Sequence, residues 1–182
     1  MAMNKKIVLG SGKLYCSEFT DSIPEDMTLE TDENILGLIS GGATISYEPE
    51  FYTAADDLGL AVKKMITNEN VVLKSGIMTW NGKTLQKLCG TARITEDTSK
   101  HTRTVKIGGV GNYDGKKYVL RFVHDDAEGK IRLTIVGSNE AGFEIAFAKD
   151  AETVIDAEFT AFPMDDEGTL VIYQEEDATI VA

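Results

Sequence analysis

Apolar and polar residues alternate along most of the chain, and this pattern predicts strands. In the stretch GATISYEPEFYTA, Ala43, Ile45, Tyr47, Pro49 and Phe51 share one parity, whereas the other parity carries Thr, Ser and Glu. A two-residue period is typical of a half-buried strand, in which Pro49 indicates a bulge or an edge. Further strand patterns are LYCSEF, ENVVLKSGIMTW, GTARITED, HTRTVKIGG, KKYVLRFVHDD, KIRLTIVG, GFEIAFAKD, DAEFTAFPMDD and GTLVIYQEE.

One helix is predicted, over residues 81–89. Asn81 can cap it, Leu85, Leu88 and Cys89 share one face, and Gly90 follows. A second, short helical turn is predicted near Glu152. Because strand follows strand without a regular βαβ alternation, the sequence favours a mainly β fold. We expect a β-sandwich or partly open barrel, as a single domain over residues 1–182 with the helix on its flank.

The segment 56–70, DDLGLAVKKMITNEN, lies between two strand patterns and has no clean period. Long irregular insertions in compact domains are usually functional loops. We therefore expect a long loop that is mobile in the free protein, with apolar side chains that would be awkward on a monomer. The candidate site residues in it are Asp56, Asp57, Leu58, Leu60, Val62, Lys63, Lys64, Met65 and Ile66.

Composition and charge narrow the class of protein. Of the 182 residues 42% are hydrophobic, which is enough for a packed core, and the net charge is −12 with a pI of about 4.6. Such an acidic chain argues against a protein that grips the nucleic-acid backbone. The run Ile7-Val8-Leu9 is too short for a secretory signal, and no stretch has the length of a membrane span. We expect a soluble protein made in a cytoplasm.

Motifs that resemble catalytic or nucleotide-binding sites fail on inspection. Gly12-Lys13 suggests a phosphate-binding loop, but Ile7 stands where its first glycine is needed and Leu14 where a hydroxyl is needed. The stretch GGVGNYDGKKY lacks the glycine order of a dinucleotide site and reads as a hairpin connection. His101 and His124 have no nucleophile nearby and are expected to be exposed. We predict no enzyme and no cofactor.

A metal site is not predicted either. Cys16 and Cys89 have no metal-ligand spacing and are expected to be reduced, buried thiols, although a disulfide between them stays open. The acidic clusters miss the spacing of a calcium loop. Weak calcium binding at residues 165–168, Asp-Asp-Glu-Gly, is a minor alternative.

A series of stretches in order resembles the major tail proteins, or tail tube proteins, of long-tailed bacteriophages and related prophage tails. The stretches are VLGSGKLYCSEF, ISGGATISYEPEFYTAADDLG, VKKMITNENVVLKSGIMTWNGKTLQKLCG, TARITEDTSKHTRTVKIGGVGNYDGKKYVLRFVHDD, GKIRLTIVGSNEAGFEIAFAKDAETVIDAEFTAFP and DEGTLVIYQEE. Together they cover residues 8–176, and no single motif among them is diagnostic.

The resemblance implies a structural virion protein. Six copies would form a ring, and stacked rings would form the hollow tube of a virion tail, assembled in the host cytoplasm. The partners would be further copies of itself, a tail-tip or baseplate initiator, a tape-measure protein and a tail terminator. DNA would pass through the lumen without specific binding, since six copies at −12 give a ring of about −72 that repels phosphate. Segment 56–70 would serve ring-to-ring stacking.

Two other readings remain open at this stage. The first is a tube subunit of a contractile tail-like injection machine, which the sequence does not separate from a phage tail. The second is a stand-alone β-sandwich binding module, for example one that binds glycans. Such modules usually present several exposed aromatic side chains on one face, whereas aromatic residues make up 8% of this chain.

Overall fold

The computed structural model describes residues 10–127, 129–177 and 180, so that Ile7-Val8-Leu9 and Glu128 lie outside it. The described part is mainly β. Its strands are β1 (Lys13–Glu18), β2 (Ile35–Gly37), β3 (Ile39–Ala55), β4 (Val62–Ile77), β5 (Arg93–Asp97), β6 (Thr102–Lys106), β7 (Tyr118–Asp126), β8 (Gly129–Asn139), β9 (Ile155–Phe162) and β10 (Ile172–Glu175). Its α-helices are α1 (Asp26–Leu29) and α2 (Gly82–Leu88), and short 3-10 helices span Asp32–Asn34 and Val110–Asn112.

Eight of these strands form one antiparallel sheet. Seven of them follow the order β2-β1-β7-β8-β9-β4-β3, and the eighth, β10, lies off this path beside β8. Strand β8 shares its outer edge between two partners, because β10 pairs with its first half and β9 with its second half. The end strands β2 and β3 follow one another in the chain with only Leu38 between them. The sheet therefore curls back towards itself, while β5 and β6 form a separate two-stranded ribbon.

The sheet buries apolar side chains on both faces because β1 and β7 alternate between two clusters. Leu14, Cys16 and Leu120 belong to the larger cluster, which Leu88 of α2 also enters. Tyr15 and Val119, one position along, belong to the smaller cluster on the opposite face. Leu29 of α1 and Met164 cover that smaller cluster. Strand β7 reads as a nearly continuous buried run because it is packed on both sides.

The predictions of a mainly β fold and of helix α2 are confirmed. The Asn81 side chain accepts hydrogen bonds from the backbone N–H groups of Lys83 and Thr84, which makes a capping box with Thr84. The helix ends at Leu88, one residue earlier than predicted, because Cys89 has extended dihedrals. Helix α1, which is four residues long, was missed because it has no apolar period long enough to detect.

Two predictions in the C-terminal third are wrong. The stretch GFEIAFAKD is irregular, although Phe143 and Ile145 pack against the larger cluster as a strand face would. Residues 155–158 of β9 pair with β4 only among the described strands, because β8 pairs with β9 from Phe159 onwards, but the irregular stretch does not add to this open edge. No helical turn forms near Glu152, where the backbone is also irregular.

The prediction of a long irregular loop over residues 56–70 is wrong as well. Only residues 56–61 form a turn, and β4 begins at Val62 and pairs with β3 as far as Ala55. The alternation was hidden because this part of β4 has water on both faces, so neither face needs to be apolar. The extra residue Thr67 at a β-bulge also shifts the parity of the sequence.

Candidate assembly surface

The most unusual feature of the molecule is a two-stranded arm formed by the outer halves of β3 and β4. Strand β9 pairs with β4 only from Val72 to Ile77, so residues 62–71 of β4 have β3 as their only partner among the described strands. All residues from 50 to 69 are exposed. At about 3.3 Å per residue, the arm projects roughly 30 Å beyond the sheet. Both of its edges present unpaired backbone groups.

The tip of the arm is a well-defined turn. The Asp56 carboxylate accepts a hydrogen bond from the Ala61 backbone N–H at 2.6 Å and another from the Leu58 N–H at 3.3 Å. The Gly59 N–H donates to the Asp56 carbonyl at 2.9 Å, and Gly59 has the positive φ of 67° that this turn requires. The Ala61 hydrogen bond is the main cause of the lowered pKa of Asp56.

The tip turn displays two leucines to solvent. Leu58 is 79% exposed and Leu60 is 83% exposed. Two hydrogen bonds to the Asp56 carboxylate hold the backbone of the turn on which both leucines lie. Two large aliphatic side chains at the apex of a projecting hairpin add to the apolar surface that the arm exposes.

One face of the arm continues the core face of the sheet into solvent. Val71, in the larger core cluster, pairs with Tyr47, and further out Phe51 pairs with Ile66 on the same face. Tyr47, Phe51 and Ile66 are all about half exposed. The Lys64 ammonium lies 4.1 Å from the centre of the Phe51 ring, a cation–π contact that covers part of this face.

The structure brings all nine predicted site residues together on this arm. Four of them lie in the tip turn: Asp56, Asp57, Leu58 and Leu60. The other five are the first residues of β4, next to that turn: Val62, Lys63, Lys64, Met65 and Ile66. Sequence analysis missed Tyr47, Phe51 and Tyr52 of β3 as members of the same surface. Their alternation was visible, but it does not show that the outer half of a strand leaves the core.

A second polar constellation lies under α1 and is structural. Arg121 and Arg132, both less than a tenth exposed, converge on Glu30, whose Oε1 lies 2.6 Å from Arg132 Nε and 3.3 Å from Arg121 Nη1. Asp26 also binds Arg121, and Glu176 binds Arg132 at 3.1 Å. The hydrogen bond that Arg132 donates to Glu30 raises the pKa of Arg132. These contacts tie α1 and the segment after β10 to the sheet.

The histidines and cysteines do not form a reactive site in the described part of the chain. His101 is exposed at the tip of the β5–β6 ribbon, as expected. His124 is buried, contrary to expectation, because β7 is covered on both faces. Its Nδ1 lies 2.7 Å from the Ser11 carbonyl oxygen and its Nε2 3.1 Å from Asp126. Cys16 and Cys89 are free thiols.

In the acidic turn at residues 165–168, the minor candidate for calcium binding, backbone N–H groups already bind the Asp165 carboxylate. The Asp165 carboxylate accepts hydrogen bonds from the N–H groups of Glu167 at 3.1 Å and Thr169 at 2.9 Å. Across the described residues, no group of three or more His, Cys, Asp or Glu side chains is arranged to hold a metal ion. Nor does the described part contain a helix that is long and apolar enough to cross a membrane.

A cavity of about 680 Å³ lies beside the Gly41-Gly42 bulge of β3. Its charged lining consists of Lys74, Glu144, Asp156 and Glu158, of which Lys74 and Glu158 form an ion pair of 2.8 Å. The cavity is open, and its lining residues include no cysteine or histidine. Its chemistry is that of a shallow polar groove and adds no activated nucleophile.

Comparison with models of known protein families finds no match for this chain. A search of curated proteins finds no significant match either. The functional argument therefore depends on the geometry of the arm and on the order of motifs in the sequence.

Proposed function

We propose that this protein is a structural subunit that self-assembles into stacked rings, forming a hollow tail tube of the bacteriophage type. The observation that carries the proposal is the arm: about 30 Å of two-stranded sheet with both edges unpaired and apolar side chains in water. An isolated two-stranded ribbon is marginal in water, so a partner that pairs its edges and covers Leu58 and Leu60 would stabilise it.

The curled sheet supports the finer part of the proposal, a β-sandwich or partly open barrel of tail tube type. Its outer strand β3 has a free edge along 17 residues in the described structure. Pairing that edge with the next copy would join the sheets of neighbouring subunits, and a ring closed in this way has no free edges. Ring closure with six copies and passage of DNA through the lumen follow from the sequence resemblance.

The arm also carries features that keep a free subunit soluble. Pro49 on β3 has no backbone N–H that could donate a hydrogen bond to a strand of another molecule. The bulge at Thr67 distorts the edge formed by β4. Lys63 and Lys64 place charges between the apolar residues near the tip. Because such devices oppose uncontrolled pairing, we expect assembly to depend on a high subunit concentration or on a tail-tip initiator.

The test replaces the two apex leucines with serine. Leu58→Ser with Leu60→Ser should leave the free energy of unfolding of the monomer within about 0.5 kcal/mol, since both side chains are exposed. The same variant should fail to form rings or tubes under conditions in which the original protein forms them, as measured by light-scattering mass and electron microscopy.

The matched control replaces two exposed apolar side chains that lie outside the arm and outside residues 20–30, 81–117 and 164–177. Phe147 is 81% exposed and Ile180 is 76% exposed, so Phe147→Ser with Ile180→Ser removes similar apolar surface. The control should assemble normally. If the Leu58/Leu60 variant still assembled, the tip of the arm would not be part of the contact between copies. A protein that stays monomeric even with tail-tip complexes and that binds glycans would favour the binding-module alternative.

A further inference from the structure

Positive and negative side chains are concentrated in different parts of this chain, which the net charge alone does not show. Residues 81–117, which we call the basic flank, contain eight Lys and Arg but only three Asp and Glu, a net charge of +5. The chain as a whole carries −12, so everything outside the flank carries −17. The flank is continuous in space, because the β5–β6 ribbon packs on α2 and the Gly90 carbonyl accepts a hydrogen bond from the Asp114 N–H.

Part of the basic flank makes no salt bridge with the described residues. Arg93 and Lys106 lie directly opposite one another in the β5–β6 ribbon, and both are exposed. Among the described residues, no carboxylate lies within 4.0 Å of Lys83, Arg93 or Lys106. Like charges directly opposite in a sheet are destabilising. The outer face of the ribbon would therefore gain from a partner that supplies carboxylates.

The opposite face of the molecule is acidic. Residues 20–30 and 164–177, which we call the acidic cover, contain ten Asp and Glu and no Lys or Arg. Three of the ten bind Arg121 and Arg132 beneath the cover. The exposed carboxylates outside that ion cluster include Asp21, Glu25, Asp166 and Glu167.

The flank and the parts of the cover around Leu29 and Met164 lie against opposite faces of the sheet. Leu88 of α2, in the basic flank, packs into the larger core cluster with Leu14. Leu29 and Met164 pack into the smaller cluster with Tyr15, the next residue along β1. Because successive strand residues point to opposite faces, residues 20–30 and the turn after Met164 are held on the side of β1 and β7 opposite to α2. Leu170 and Val171, later in the cover, pack against the larger cluster.

We infer that the basic flank of one copy binds the acidic cover of a second copy, head to tail. The occupant is a second copy because the complementary charge is present on the same chain, on the side where it cannot fold back onto the flank. A contact between two unlike surfaces repeats from copy to copy instead of closing as a two-fold dimer. The inference rests on the proposed self-assembly, and it adds a second contact that is independent of the arm.

Salt provides the first test. Sedimentation velocity of the unmodified protein should detect self-association at about 0.01 M salt, where the Debye length is roughly 30 Å, and at least tenfold weaker association at about 0.15 M, where it is roughly 8 Å. A protein that stays monomeric at both salt concentrations, or that associates only when a DNA oligonucleotide is added as a bridging polyanion, overturns the inference.

Charge reversal provides the second test. Arg93→Glu with Lys106→Glu should weaken low-salt association at least tenfold, and so should Asp166→Lys with Glu167→Lys. Combining both pairs of changes in one chain restores the complementarity and should restore association. Lys13→Glu with Lys149→Glu changes net charge by the same amount as the first pair but lies outside the flank. This control should weaken association less than threefold.

The outcomes also separate this inference from the proposed function. Equal weakening by the control, or no recovery in the combined variant, would overturn the head-to-tail contact. If the Arg93→Glu, Lys106→Glu variant formed tubes equally well, the head-to-tail contact would also be overturned. The proposed tube function would then still stand. Melting temperatures within a few degrees of the original protein would show that each variant folds.

Discussion

At the scale of single residues, the ion cluster beneath α1 holds the acidic cover on the sheet. Arg132 and Glu30 are 8% and 12% exposed, and 2.6 Å separates Arg132 Nε from Glu30 Oε1. A buried ion pair adds little net stability over apolar packing, but removal of one partner strands the other charge. Helix α1 has only four residues and no side-chain cap, so this cluster and the burial of Leu29 keep it on the sheet.

We therefore expect Glu30→Gln to lower the free energy of unfolding by about 2 kcal/mol, less than a full buried pair because Asp26 and Glu176 remain nearby. Urea denaturation measures this change. Glu167→Gln, at an exposed turn, is the control and should change stability by less than about 0.5 kcal/mol. Equal effects from the two variants would mean that the cluster contributes nothing to the fold.

The two thiols should differ sharply in reactivity. Cys16 is fully buried in the larger core cluster, and this desolvation raises its pKa to about 12. Cys89 is partly exposed at the end of α2. At pH 8 a thiol reagent should modify Cys89 in the folded protein and reach Cys16 only on unfolding. In a Cys89→Ser variant, fast modification under native conditions would contradict the burial of Cys16.

At the scale of elements, the arm is the part that local pattern predicts least well. The sequence patterns located the longer β-strands of the core because at least one side of each is buried, and they located α2 through its cap and apolar stripe. They missed β2, which has only three residues. Outside the core, neither face of a strand has to be apolar, so residues 62–70 looked irregular. The nine predicted site residues all lie on the arm, and their role in stacking stays a prediction.

The tip turn should depend on the charge of Asp56. Its folded-state pKa is lowered from 3.8, chiefly by the Ala61 N–H, so the ionised carboxylate stabilises the turn above that ordinary value. The stabilisation is lost as the pH falls through the lowered value. Hydrogen-exchange protection of the Ala61 amide should therefore fall in acid towards the value of an Asp56→Asn variant, whose own protection does not change with pH.

Asp57→Asn is the matched control for that experiment, since no hydrogen bond to its side chain is seen in the described structure. It should leave the protection of the Ala61 amide unchanged at every pH. If wild-type protection were also independent of pH down to about 2, the Asp56 hydrogen bonds would not be what holds the turn. The mobility expected for segment 56–70 in the free protein stays a prediction, which the same exchange data address.

At the scale of the whole molecule, two features remain unsatisfied in a single copy. The arm exposes sheet edges and leucines, and parts of the basic flank and of the acidic cover make no salt bridge within the described structure. Neither could be predicted from residue patterns alone, because the arm depends on where β9 stops pairing and the charge separation depends on which face each segment covers. Both features favour the claim that copies of this chain assemble with one another.

Electron microscopy of the purified protein across a concentration series, with light-scattering mass on the same samples, tests that claim most directly. We predict rings or tubes whose mass and length grow with protein concentration, or with added tail-tip complexes where an initiator is needed. A strict monomer at every concentration, with tail-tip complexes present as well, would contradict the claim.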